Sequence, residues 1–239
     1  MPAIITDQIR VLNASNFVSG IGNANNSFYV FIGLPNATEV ATDWNTSTPD
    51  PVDNFDQHDN IYDTLISAKK INSTDVLRVI KKITWTSGTI YEMYRHDYSV
   101  SNLTPQTSAS NLYNANYYVM NSDFRVYECI YNGAAPSNSG KGIVSLDEPV
   151  HTDLEPRLES DGYLWKYLYT IKPSDIVKFD SAEYIPVPSD WETNTDVADV
   201  RNNAVDGKIE TVVIENINNA TYQFAGTKNN VPIRGDGTG

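Results

Sequence analysis

The stretch at residues 161–188, DGYLWKYLYTIKPSDIVKFDSAEYIPVP, constrains the fold more than any other part of the chain. Asp161-Gly162 supplies turn chemistry, and the residues after it alternate in character. Tyr163, Trp165, Tyr167, Tyr169 and Ile171 fall on one side of a period-2 segment, and Leu164, Lys166, Leu168 and Thr170 fall on the other. A strand carrying that much ring surface on one face needs a second sheet, or another chain, to cover it. A short polar turn around Pro173 follows, then a second apolar run. There Pro186 and Pro188 remove backbone donors and so place the run at a sheet edge. Nothing in the stretch looks like a reacting group; it reads as a packing element.

Strand patterns recur along the chain. Residues 27–34, SFYVFIGL, form a continuous apolar run of strand length and are expected to be buried. Residues 76–94 read as a hairpin around Thr86-Ser87-Gly88, and residues 117–120 and 125–131 as a strand pair around Asn121-Ser122-Asp123. Helical signals are fewer. Asp7 is placed to cap a helix from Gln8 that ends at Gly20 and Gly22. Asp59 or Asn60 is placed to cap a second, with Ile61, Leu65, Ile66 and Ala68 on one side. Residues 35–60, 99–116 and 132–142 are polar and loop-like.

The expected fold class is therefore α+β and predominantly β: a layered, sandwich-like body with a few short helices and long loops, plus a C-terminal β segment. The body is placed at 1–190 and an acidic linker at 191–204. Residues 205–239 read as the start of a β-repeat-like domain, and the glycine-rich end leads to the expectation that the natural chain continues.

Charge and composition narrow the function classes. A formal charge of −13 and a pI near 4.5 make nucleic acid a poor partner, and the basic clusters Lys69-Lys70 and Arg78 to Lys82 are too small to reverse that balance. No window approaches the ~18 apolar residues of a membrane span, and Asp7 and Arg10 come too early for a signal peptide. The single cysteine, Cys129, excludes an intrachain disulfide and sits in a strand-like run as a structural thiol. Asn-x-Ser/Thr sequons at Asn13, Asn25, Asn36, Asn45, Asn72, Asn102 and Asn219 are attributed to an Asn/Ser/Thr-rich composition, with folding expected in a cytoplasm.

Candidate chemistry is thin. Asp147, Glu148, Glu155, Glu159 and Asp161 crowd one region, but a glycosidase needs two carboxylates about 5–10 Å apart across a cleft, and proximity in a loop does not supply that. Asp53, Asp56, His58 and Asp59 lack EF-hand spacing, and His58, His96 and His151 form no zinc motif. There is no Walker A loop and no nucleophile elbow. Among the tryptophans, Trp44 and Trp191 lie in polar stretches suited to sugar stacking, whereas Trp85 and Trp165 lie in strands. No enzymatic activity, cofactor or metal is expected.

The pattern Asp161-Gly162-Tyr163-x-Trp165-x-Tyr167-Leu168, then Pro173, then Glu183-Tyr184-Ile185-x-Val187-Pro188, resembles the gene-product-eight family of baseplate wedge proteins from T-even-type contractile-tailed bacteriophages. Softer likeness extends upstream through Leu12-Asn13, the Phe28 to Gly33 strand and Val126-Tyr127-x-Cys129, so that it covers about residues 8–190. The resemblance implies a structural subunit of the virion's tail baseplate, assembled in the bacterial host cytoplasm. It also implies a homodimer that contacts other wedge and tail proteins and carries no catalytic residues. Asp161, Gly162, Tyr163, Trp165, Tyr167, Leu168, Tyr184, Val187 and Pro188 are then structural or interface residues.

From Val205 the chain departs from that family. It looks more like the first of the Gly/Thr/Tyr-punctuated β repeats of some marine phage tail proteins, with Gly207, Ile209, Asn216 and Tyr222 as cues. The alternative reading is a carbohydrate-binding or receptor-recognition tail protein.

Overall fold

The computed structural model describes residues 7–33, 62–95, 109, 111–134, 142–189 and 191–204. The fold is mixed α+β, built from small antiparallel sheets, short helices and loops. The chain divides into two compact units at Leu77/Arg78, inside the span read from sequence as one body.

The first unit holds α1 (Asp7–Gly22), β1 (Phe28–Ile32) and β2 (Ser67–Ile71). β1 and β2 pair antiparallel over five positions, from Phe28 opposite Ile71 to Ile32 opposite Ser67. Two sequence expectations are corrected here. The helix expected to carry Ile61, Leu65, Ile66 and Ala68 on one side gives way to a strand: among the described residues Tyr62 and Asp63 are helical, and Ser67–Ile71 is claimed by the ladder with β1. Nor is β1 buried: Tyr29 is 61% exposed, with Val30 and Ile32 exposed beside it. The α1 helix forms where its Asp7 and Gly22 boundaries place it, yet Ile9, Val11, Leu12 and Phe17 are exposed, and Ile21 is the one buried side chain among residues 9–22. Phe17 meets Phe28 edge-on, and Phe31 packs against Tyr62 at a tilt of 37°.

The second unit is organised by a four-stranded antiparallel sheet in the order β4-β5-β7-β6. These are β4 (Tyr118–Met120), β5 (Arg125–Tyr131), β6 (Arg157–Leu158) and β7 (Leu164–Thr170). The β4–β5 pair forms where the sequence placed it. Its turn is held by Asn121, whose Oδ1 accepts from the N–H groups of Asp123 at 3.0 Å and Arg125 at 2.8 Å. These bonds let Phe124 take a positive φ of 58°.

The other strand pair of this unit is non-local. β3 (Val79–Lys81) pairs with β8 (Tyr184–Pro186), with Ile80 opposite Ile185. The hairpin expected over 76–94 is thereby corrected. The turn at Thr86–Thr89 exists, but its two arms bond elsewhere: Thr84 bridges Met120 in parallel, and Thr89 bridges Ser145. Burial of Ile185 to 0% against Ile80 is what a local hairpin could not offer.

The polar turn expected at Pro173 is instead α2 (Pro173–Phe179), with the proline in the first turn, where its missing N–H costs nothing. Residues 191–204 also fold. A 3-10 turn (Thr195–Val197) runs into α3 (Ala198–Asn203), and Val197 and Val200 are buried. Residues 205–239, where the C-terminal β segment was expected, lie outside the described residues, as do His58, His96, Trp44 and the acidic loop at 53–59.

Candidate functional site

β7 was expected to carry all its rings on one face, and its register shows otherwise. Trp165 stands opposite Cys129, Tyr167 opposite Tyr127, and Tyr169 opposite Val126. Val126 and Tyr127 are adjacent in β5 and so point to opposite faces. Leu168 is therefore the extra residue of a bulge, and it turns Tyr169 to the face opposite Trp165 and Tyr167. One face packs Tyr91, Val119, Tyr127, Cys129, Tyr163 and Trp165; the other packs Met120, Val126, Tyr169, Ile171, Ile185 and Val197. The bulge gives both faces of the sheet aromatic cover from a single strand.

The first face is a ring cluster. Tyr163 and Trp165 stack at 5.3 Å and 12°, and Tyr91 meets both edge-on at 6.4 and 5.7 Å. The Tyr163 hydroxyl donates to the Ile143 carbonyl at 2.6 Å and accepts from the Tyr91 N–H at 3.0 Å. Burial pushes the Tyr163 and Tyr169 hydroxyls well above the usual tyrosine range, and Tyr127 up to about 12. Burial likewise raises the Cys129 thiol far above its ordinary value, so this cysteine is an inert core residue, as its strand position indicated.

Asp161-Gly162 makes the turn that the sequence announced. Gly162 has φ 93°, and its N–H donates to the Glu159 carbonyl at 3.0 Å, closing the β6–β7 hairpin. The Asp161 carboxylate accepts from Ser145 Oγ at 3.1 Å and from the N–H groups of Leu146 at 2.8 Å, Asp147 at 3.1 Å and Tyr163 at 3.0 Å. Burial works to raise its pKa, but those bonds together outweigh burial and hold the carboxyl below its ordinary value. Asp161 is thus a loop-organising acceptor whose lone pairs are committed. Glu159, half-buried, is shifted upward by burial, against the pull of Arg157 at 4.0 Å.

The remaining motif residues lie apart from this cluster. Ile185 is buried, Tyr184 is exposed, and Val187 and Pro188 are half-buried where the chain leaves β8. The Val187 N–H donates to the Arg78 carbonyl at 2.9 Å, extending the β3–β8 pairing past Pro186. Lys82 clamps the same pair: its Nζ reaches both Asp180 oxygens at 2.9 Å and the Ser181 carbonyl at 3.1 Å. Beside them Lys81, Tyr113, Glu183 and Tyr184 line an open depression on which Tyr113 is 89% exposed. A smaller cavity lies between Tyr169, Lys172, Pro186 and Asp196, with Lys172 ion-paired to Asp196 across it.

Sequence reasoning missed several organising residues. Asn121 is 1% exposed and, besides its turn bonds, donates to the Pro149 carbonyl at 2.8 Å. Tyr91 and Asn132 connect through Asn132 Nδ2 and the Tyr91 carbonyl at 2.8 Å. Their signal was present only as polar residues flanking strands, which looks the same for a loop residue as for a buried clasp. Trp85 is half-buried, with its indole N–H on Ser145 Oγ at 3.0 Å, and Trp191 is 37% exposed.

Among the described residues no group of three His, Cys, Asp or Glu side chains is placed to hold a metal ion, and no helix is long and apolar enough to cross a membrane. No protein-family model and no curated protein sequence matches the chain.

Proposed function

We propose that this chain is a structural subunit of a contractile phage tail, a baseplate wedge component that works through protein–protein contacts. In this reading it assembles in the host cytoplasm with other wedge and tail proteins, pairs with a second copy of itself, and performs no catalysis. The observation that carries the reading is the apolar surface of the first unit. Tyr29, Val30 and Ile32 on β1, Leu65 and Ile66 before β2, and Val11, Leu12 and Phe17 on α1 are all exposed. A two-stranded sheet is marginal alone, and side chains of this kind gathered in one small unit suit a surface that a partner covers. The motif rings Tyr163 and Trp165 support the same reading from the other side, because they are consumed as core and present nothing to a substrate.

Co-expression with the tail proteins encoded beside it, followed by affinity capture and size-exclusion chromatography, tests the proposal. A stoichiometric complex that is lost on the triple change Tyr29→Ser, Val30→Thr and Ile32→Thr, with the second unit still folded by near-ultraviolet circular dichroism, is the expected result. Failure to associate with any tail protein, together with glycan binding that disappears on Trp191→Ala, would overturn it in favour of a receptor-recognition role.

A further inference from the structure

Residues 148–154 cross the β4–β5 hairpin as a strap held by consecutive carbonyls. Pro149 accepts from Asn121 Nδ2 at 2.8 Å, Val150 from Arg125 Nη1 at 2.5 Å, and His151 from the Tyr127 hydroxyl at 2.6 Å. The Ser122 N–H adds a bond to Glu148 Oε1 at 2.6 Å. At the centre of the strap the His151 ring is turned inward. It is 6% exposed and rests on the Tyr127 ring at 5.3 Å, and neither ring nitrogen makes a hydrogen bond of ordinary geometry.

We infer that His151 is a pH-sensitive catch on this strap: the neutral ring lets the strap close, and protonation of the ring releases it. An imidazolium has two donors, and a buried site that offers them only the Trp165 carbonyl, outside ordinary hydrogen-bond geometry, penalises the charged form. The surrounding charges act in both directions. On the strap, Asp153 favours the cation; from β6, Arg157 opposes it, while itself pairing with Asp153 at 3.6 Å and Glu159 at 4.0 Å. From β5, Arg125 brings a further positive charge to the Val150 carbonyl, and it is paired with Asp123 at 3.3 Å. Tyr127 and, behind it, Tyr167 face the ring as neutral phenols. Burial is the largest influence on His151 and lowers its pKa from 6.5, with the nearby Trp165 carbonyl pulling weakly the other way.

Once the strap lifts, the ring is in water and takes a proton at its ordinary pKa. The open population therefore grows as pH falls below about 6.5, by up to about tenfold per pH unit, until the closed form titrates too. Opening would uncover the His151 pocket and one edge of Tyr127 while leaving the β5–β7 ladder intact. The inference rests on the strap alone and is independent of what the chain assembles with.

Hydrogen exchange followed by mass spectrometry between about pH 7.5 and pH 5, corrected for intrinsic exchange, reads this directly. The closed strap ties the Ser122 N–H through Glu148 and the Asn121 side chain, which holds the Asp123 N–H, through Pro149. Protection of the Ser122 and Asp123 amides is expected to fall by up to about tenfold per pH unit below about pH 6.5, while the β5–β7 ladder stays protected. His151→Phe should hold the protection of those two amides constant across that range. Protection of the Ser122 and Asp123 amides that is independent of pH in the wild type, or that follows the wild-type profile in His151→Phe through Glu159 or another carboxyl, would overturn the inference. Should the variant not fold, an NMR titration of the wild-type imidazoles decides. A His151 midpoint below the ordinary histidine value supports the catch, and one at or above it refutes it.

Discussion

Two strands of this protein read almost alike and are treated in opposite ways. β1 is FYVFI and β7 is LWKYLYT, both rich in aromatic and branched side chains. In β7 Trp165 is 0% exposed, because the strand lies inside a four-stranded sheet with cover on both faces. In β1 Tyr29, Val30 and Ile32 remain exposed, because the described residues of the first unit offer one partner strand and a helix that is itself mostly exposed. Strand hydrophobicity states how much surface must be covered. It is silent on whether the cover comes from the same chain, and where it does not, the uncovered strand is the better guide to an interaction surface.

The sharpest way to break that contrast is to truncate one ring in each strand and follow urea unfolding of the unit that holds it. Trp165→Ala should cost ~3–5 kcal/mol, the range for deleting a large core aromatic, whereas Tyr29→Ala should cost under ~0.5 kcal/mol. Equal losses would mean that β1 is part of a core after all. Asn121→Ala comes next, at about 1–3 kcal/mol, because it strips partners from the Asp123 and Arg125 N–H groups and from the Pro149 carbonyl. A change below about 0.5 kcal/mol would show that the turn holds without its asparagine.

Gly162→Ala should cost about 1 kcal/mol or somewhat more, since φ 93° is strained for any residue with a Cβ and the new atom would meet Ile143 Cδ1 at 3.3 Å. The same substitution at Gly20, which has open space around it, should be close to neutral or slightly stabilising. The smallest expected effect is electrostatic. The folded Asp161 carboxyl lies below its ordinary 3.8, so its contribution is fully present above that pH and is lost as pH falls through the folded value. Asp161→Asn should therefore flatten the acid end of the stability curve below about pH 4 and leave its slope near neutrality unchanged. A changed slope near neutrality would assign that pH dependence to Asp161 instead.

The features legible in the sequence are those fixed by neighbours in the chain. Asp161-Gly162 is a turn because only its own backbone decides the matter. The β4–β5 pair was readable because Asn121-Ser122-Asp123 closes it locally. Residues governed by distant partners were not readable. The bulge at Leu168 exists to fit β7 against β5, and no period-2 count can show where one residue is skipped. Ile80 finds Ile185 rather than the arm after Thr86-Ser87-Gly88, although that turn forms. Ser67–Ile71 obeys β1 in preference to its own helical spacing. In the candidate site, the motif residues were named from sequence, but the clasps that hold them were not. Asn121 and His151 look polar and ordinary until the fold buries them.

The Lys82–Asp180 clamp joins residues 98 positions apart, and that separation sets an order in time. Until β8 has left the ribosome, β3 is a strand with no partner and Ile80 has no cover. The β4–β5 hairpin can form long before, whereas the β3–β8 pair closes only after residue 186 has been made. Long-range pairing of this kind folds slowly and leaves an open edge while it waits. A chain that pairs these strands late passes through a window in which the wrong strand can reach that edge first.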